Sequence, residues 1–297
     1  MSERRETWEE LSDNNPDANS VPVIGVFDSG FGGLTVLKAL VEQEKTGRMP
    51  ASQFVFLGDT ARLPYGSKSR RTIARYAAES AQFLVNEQGA EFLVIACNTA
   101  SALALDAIQE AVSVPVLGVI EPGAAAAAEN SRSKDVMVIA TEATVASHAY
   151  AVACKTRGLR GVEKACPLLV PLVEEGWIDH PVTGEVVRIY LSELLAEAAE
   201  AGQSPDTLVL GCTHYPLLRA VFEEALPAGI RVVDSAEATA NEAARQMQTR
   251  HGIGAKTAGE TPAIRCFATD SVGKFERLGS RFLGLPVGRV ELVDLGG

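Results

Sequence analysis

The chain has 297 residues, 46% of them hydrophobic and 22% charged, with a formal net charge of −11. That is ordinary globular composition, with enough chain for one large or two ordinary domains and a sizeable core. The acidic balance speaks against nucleic acid or anionic membrane as partners, and an anionic substrate has to be held by local donors against the overall field. No apolar run approaches the roughly 18–20 residues of a membrane span. The opening MSERRETWEELSDNNPDANS has no apolar signal core, so the chain reads as cytoplasmic. Five cysteines, an odd number with no C-x-x-C pair, argue against a disulfide framework in a reducing compartment. No Cys/His spacing suits structural zinc, and no metal is expected.

Residues 1–20 are polar and charged and read as a mobile tail. From Val21 onwards strand and helix patterns alternate. VPVIGVF is a strand running into Gly-rich DSGFGG, and LTVLKALVEQ is a helix. QFVFLG is the next strand, and DTARLPYGSKS is a Pro/Gly loop. RRTIARYAAESAQFLVNEQG is an amphipathic helix stopped by Gly89. EFLVIA, VPVLGV, DVMVIA and TLVLG are further strands, each leading towards helical sequence, and CPLLVPLVEEG is apolar and broken by proline. Val186 to Ala201 reads as helix. RVVDSAEATANEAARQ and AIRCFATDSVGKFERL add two more strand–helix units. Such alternation implies parallel βαβ units covered on both faces, with ligands at the carboxyl ends of the strands. That rule points to Asp28-Ser29, the loop from Asp59 to Ser67, Cys97-Asn98-Thr99, Thr141 to Thr144, and Cys212-Thr213-His214.

Two of these strand ends are twins. LVIACNTA is echoed by LVLGCTHY, Cys212 lying 115 residues after Cys97, and VIGVFDSG is echoed by VMVIATEA at an offset of 113. The agreement suggests an internal repeat, with two α/β domains of similar plan facing each other across a cleft and each offering one cysteine. Two facing thiols suit inversion of a carbon acid. A base removes the proton from one face, an acid returns one to the other, and the two swap roles in the reverse direction. A free thiol has a pKa of about 8.5 and can serve as either. Placement at a helix N-terminus is expected to favour the thiolate. Inert packing is the competing role for any strand-end cysteine. The matched polar contexts favour function for Cys97 and Cys212, whereas Cys154, Cys166 and Cys266 read as structural.

The motifs VFDSGFGG, GDTARLPYG, ACNTASA, ATEATV, PLVEEG and GCTHYPLL, in this order and spacing, resemble those of the glutamate racemases in the cofactor-independent aspartate/glutamate racemase superfamily. The set is specific, although no single motif is. The resemblance runs from about Val21 to the C-terminus and implies an α/β fold of two pseudosymmetric domains with mainly parallel sheets and the active site between them. It implies one domain from 21–115 plus 231–297 and a second from 116–230. It further implies interconversion of L- and D-glutamate for peptidoglycan, no cofactor, Cys97 and Cys212 as catalytic residues, and a homodimer. The substrate-binding pairs fall on Asp28-Ser29, Tyr65-Gly66, Asn98-Thr99 and Thr213-His214. Ala140 departs from the glycine frequent before the Thr of ATEAT. Some members with an N-terminal extension respond to a cell-wall precursor as activator, a role open to residues 1–20.

Several of these residues have a second role open to them. Asp28 could hold an ammonium group or cap a helix. Ser29 and the adjoining glycines let backbone N–H groups approach an anion. Thr35 stands where a dinucleotide fingerprint needs its third glycine, which weakens that reading. Tyr65-Gly66 could contact a carboxylate through the backbone or simply form a turn after Pro64. Thr141 and Thr144 could bind a carboxylate or cap a helix. His214 is a proton partner or substrate ligand beside Cys212, or a satisfied histidine, and Glu174 is a supporting polar group or a solvated helix residue. A redox dithiol and a non-catalytic amino-acid binder are the rival functions, and an aspartate racemase the rival within the superfamily.

Overall fold

The computed structural model describes residues 21–252 and 262–296, so the expected tail at 1–20 lies outside the described residues. Strand and helix alternate along almost the whole chain. The first part runs β1 Val23–Asp28, α1 Leu34–Lys45, β2 Gln53–Gly58, α2 Arg70–Gln82, β3 Phe92–Ile95, α3 Asn98–Leu103, α4 Leu105–Ala111 and β4 Val116–Gly118. The middle runs α5 Ile120–Asn130, β5 Asp135–Ala140, α6 Glu142–Ser147, α7 Ala149–Thr156, β6 Arg160–Ala165, α8 Leu169–Glu174, α9 Pro181–Glu200, β7 Thr207–Gly211, α10 Arg219–Ala225 and β8 Arg231–Asp234. The last part is α11 Ser235–His251, β9 Ile264–Ala268, α12 Val272–Leu283 and β10 Val290–Leu292.

All strand pairs are parallel and form two sheets, ordered β10-β9-β2-β1-β3-β4 and β6-β5-β7-β8. The order β2-β1-β3-β4 in the first recurs as β6-β5-β7-β8 in the second, which is the internal repeat in three dimensions. Cys97 follows β3 and Cys212 follows β7, the corresponding strands, just as Asp28 ends β1 and Thr141 follows β5. The C-terminal strands β9 and β10 extend the first sheet. The expected boundaries at 115/116 and 230/231 each miss by one strand. β4 pairs with β3 in the first sheet, and β8 pairs with β7 in the second, because each closes its own four-stranded unit before the chain crosses over.

Alternate residues of each strand feed different cores. Ile24, Val26, Phe54 and Phe56 on one face of the first sheet join Met137, Ile139, Leu208 and Leu210 of the second in one continuous cluster. Phe27, Leu57, Leu93 and Ile95 form a separate cluster on the other face of the first sheet, and Val136, Val138 and Val209 one on the other face of the second. Both sheets are thus buried on both sides, which accounts for their unbroken apolar runs. Helix α11 packs against α1 of the first half and α5 of the second, with Gln43 Nε2 donating to Asn241 Oδ1 at 2.7 Å. Two strands have no apolar run to betray them. β6 is an edge strand whose charged residues find partners, Arg160 with Asp135, Glu163 with His148, and Lys164 with Glu193 and Glu197. β10 is a three-residue edge. Among the described residues no helix is long and apolar enough to cross a membrane.

The glycine-rich loop after β1 is where the halves touch. A Cβ on Gly32 would stand 2.4 Å from Thr213 Oγ1 and 2.6 Å from His214 Cε1. Gly32→Ala is therefore expected to push the halves apart at the cavity and to cost about 1–3 kcal/mol in a urea unfolding experiment. Gly273→Ala on α12, where nothing lies within 4 Å, is the matched control and should be neutral or stabilising. Equal stability of the two variants would contradict the contact.

Candidate active site

The strand ends of the two sheets open on one cavity of about 460 Å³. Its wall includes Ser29, Tyr65, Gly66, Cys97, Asn98, Thr99, Thr141, Glu174, Cys212, Thr213 and His214. The two remaining sequence-predicted residues, Asp28 and Thr144, are buried outside that lining and reach it through their neighbours. Among the described residues, no group of three or more His, Cys, Asp or Glu side chains is gathered as a metal site. Cys154 lies in α7, Cys266 in β9 and Cys166 between β6 and α8, and none of them lines the cavity.

Cys97 is buried at the first turn of α3. Its Sγ accepts from Ala100 N at 3.4 Å and donates to Ser29 Oγ at 3.4 Å. The helix start was expected to favour the thiolate, but burial wins. Desolvation, followed by the negative charge of Asp28, pushes the thiol up to about 12 against the opposing hydrogen bonds from Ser29 and Ala100. A six-residue helix offers only a small field with which to offset that loss of water. Asp28 is itself 2% exposed, and burial raises its pKa despite the His214 charge and the N–H groups of Gly33, Gly30 and Ser29. Its Oδ2 accepts from Gly30 N at 3.0 Å, so it anchors the glycine loop, whereas Gly33 occupies the N-cap of α1.

Cys212 has different company. Its Sγ lies 3.9 Å from His214 Nδ1, and Thr213 Oγ1 lies 3.5 Å from the same nitrogen. His214 Nε2 faces Glu174 Oε1 at 3.4 Å, an ion-pair separation, and Glu174 Oε2 accepts from Lys274 Nζ at 3.0 Å. Burial pulls the imidazolium down, but Cys212 and Glu174 outweigh it and lift His214 to about 10. Burial likewise opposes the Glu174 charge, yet His214 and Lys274 hold its carboxyl below the ordinary value. Phe282 meets the His214 ring edge-on, with centroids 5.1 Å apart, and fixes its plane. Glu174 is therefore the partner of His214 and not a solvated helix residue.

Hydroxyl and amide groups fill the space between. Thr99, Thr141 and Thr144 form a triangle of hydroxyls with separations of 3.0, 3.4 and 2.9 Å that ties the first half to the second. Thr141 also caps α6, accepting from Thr144 N at 3.4 Å, which is the capping role open to it. Asn98 Oδ1 accepts from Tyr150 OH at 2.8 Å. Tyr65 directs its hydroxyl to Asp59 Oδ2 at 2.5 Å, and Arg62 joins the same carboxylate. Lys274 and Tyr150 were not legible as site residues. Lys274 arrives from α12, 100 residues beyond Glu174, and Tyr150 sits on an otherwise ordinary helix. No local motif marks either one.

The charge on His214 can be checked directly. Nitrogen NMR of the imidazole should show a cation through neutral pH that is lost near pH 10. Glu174→Gln should bring the transition down towards the ordinary value of about 6.5. Because the folded value is raised, stability is fully present below the unfolded pKa and falls as pH rises towards 10. That decline should be shallower in Glu174→Gln. A wild-type transition near 6.5 would contradict the Cys212–His214–Glu174 arrangement.

The sequence signature of the Asp/Glu/Hydantoin racemase family matches residues 21–243. A glutamate racemase of Koribacter versatilis is 52% identical over 295 residues, spanning 93% of this chain and 98% of that one. The structure resembles that of glutamate racemase isoform RacE1 from Bacillus anthracis, with a TM-score of 0.81 at 38% identity over 92% of this chain and 98% of the other. Glutamate racemase from Francisella tularensis in complex with D-glutamate gives a TM-score of 0.79 at 34% identity, over 93% and 98% of the two chains. With the signature, the relatives and the fold in agreement, the chain belongs to the Asp/Glu/Hydantoin racemase family.

Proposed function

We propose that the chain is a cytoplasmic glutamate racemase that interconverts L- and D-glutamate by two-base proton transfer between Cys97 and Cys212, supplying D-glutamate for peptidoglycan. The observation that carries this reading is that two thiols, after corresponding strands of two repeated sheets, line the same cavity. One sulfur, as thiolate, takes the α-proton. The electron pair left on Cα is then protonated on the opposite face by the other sulfur, as thiol, which becomes the thiolate. The net change is one proton lost and one gained, with the enzyme left in the mirror-related protonation state.

The α-proton is weakly acidic, so the site has to stabilise the carbanion with donors aimed beforehand at the carboxylate and with water kept out. Ser29, Asn98, Thr99, Thr213 and the backbone at Tyr65-Gly66 supply neutral donors. The two sulfurs differ in support. Cys97 faces Ser29 and Asp28, whereas Cys212 faces an imidazolium paired with Glu174. His214 is the proton partner within reach of Cys212, and Ser29 is that of Cys97. This mechanism calls on no pyridoxal phosphate or metal. Homodimer formation and activation by a cell-wall precursor through residues 1–20 extend the proposal. They are tested by light scattering of the purified protein and by comparing the precursor response with and without the tail.

Incubation with either enantiomer of glutamate in deuterated water should racemise it with deuterium entering at Cα, and aspartate should react more slowly. Cys97→Ser and Cys212→Ser should each lower turnover by about 10²–10⁴-fold, the usual range for removing a general acid or base. Full activity in either variant would exclude the two-base assignment. Reversible disulfide formation without racemisation would favour a redox protein, and tight binding without exchange would favour a binding protein.

A further inference from the structure

Tyr150 sits on α7 in the second half, fully buried, yet its hydroxyl belongs to the first half. It donates to Asn98 Oδ1 at 2.8 Å. The ring is packed closely against two glycines. A Cβ at Gly211, just before Cys212, would meet its Cε2 at 2.9 Å, and one at Gly123 would meet its hydroxyl at 3.1 Å. A phenol carries one proton. Burial pushes its pKa up, so that proton stays on throughout the neutral range. Ser235, the other hydroxyl beside it, gives its own proton to the Leu210 carbonyl at 3.0 Å.

The consequence falls on the Asn98 amide, which has two chemically opposite ends. With Oδ1 held by Tyr150, the NH₂ end is turned the other way. Nδ2 is buried and has no partner among the described residues, while Asn98 forms part of the cavity wall. A buried donor without a partner is uncommon, and one in a cavity wall is a ready site for an acceptor on a ligand.

We propose that Tyr150 is a positioning residue for the substrate: by donating to Asn98 Oδ1 across the junction of the two halves, it holds the amide with Nδ2 towards the cavity, where Nδ2 donates to a carboxylate of the bound amino acid. This rests on the reading of the cavity as an amino-acid site. Because donor and acceptor come from different halves, the amide is oriented only while the halves are together. Tyr150 thereby links closure of the cavity to carboxylate recognition without touching the substrate.

The test combines calorimetric binding of glutamate with steady-state kinetics for wild type, Tyr150→Phe, Asn98→Ala and the double variant. Tyr150→Phe should raise Kd and KM on the order of tenfold, the effect of losing one oriented hydrogen bond to a charged group, with kcat changed less than about threefold. Asn98→Ala should show a similar loss, and the double variant should be no worse than Asn98→Ala alone. Binding by Tyr150→Phe within twofold of wild type would overturn the proposal, as would single effects that multiply in the double variant. The unsubstituted protein offers a second measurement. Its Asn98 side-chain amide should give one slowly exchanging pair of proton signals, and two populations would overturn the proposal. Glutamate binding without racemisation by wild type would sink the two-thiol mechanism and leave the Tyr150 comparison fully readable.

Discussion

Loops from two parallel sheets have to approach within van der Waals distance for the two cysteines to line one cavity, and Gly32 is one point of that approach. A side chain there would have its first atom in collision with Thr213 and His214, so one or the other has to shift. The repeated strand order aims corresponding strand ends at the same cavity, and the halves are then pinned by groups on both sides of it. Thr99 reaches Thr141 and Thr144, Thr35 Oγ1 donates to the Thr213 carbonyl at 3.1 Å, and Lys274 reaches Glu174. A single core cluster continues beneath both sheets. The cavity is therefore a property of the junction and not of either half alone.

Burial governs the chemistry inside that junction more than local dipoles do. Cys97 has a helix N–H and a serine hydroxyl to stabilise a thiolate, yet desolvation and Asp28 keep the proton on sulfur. At the other end burial also disfavours charge, but there the Cys212 sulfur and the Glu174 carboxylate face the imidazole and raise its pKa. The two ends are alike in topology and unlike in electrostatics.

Some of the site was legible because its signals are local. An apolar run ending in Cys-Asn-Thr, and a second ending in Cys-Thr-His, mark strand ends whatever the tertiary structure. The rule that ligands sit at the carboxyl ends of parallel strands then selects Asp28, Thr141 and their neighbours. Edge strand β6 and the short β10 were illegible for the converse reason, since an edge strand needs no continuous apolar run. The boundaries between halves were off by one strand at each crossing because the sequence around Val116 and Arg231 reads as strand in either sheet. Only hydrogen-bond pairing decides which one it joins.

The amino-acid sequence by itself determined the alternation of buried strands and helices, the repeat, and the identity of the two thiols with their flanking amide and hydroxyls. These follow from short-range patterning and from spacing along the chain. Only the tertiary structure decided which distant groups face those thiols. Lys274 stands 100 positions from Glu174, and Tyr150 stands 52 from Asn98, separations at which the pattern of residues carries no trace of contact. It also decided the protonation of Cys97, because desolvation depends on everything packed around a group and not on its neighbours in the chain.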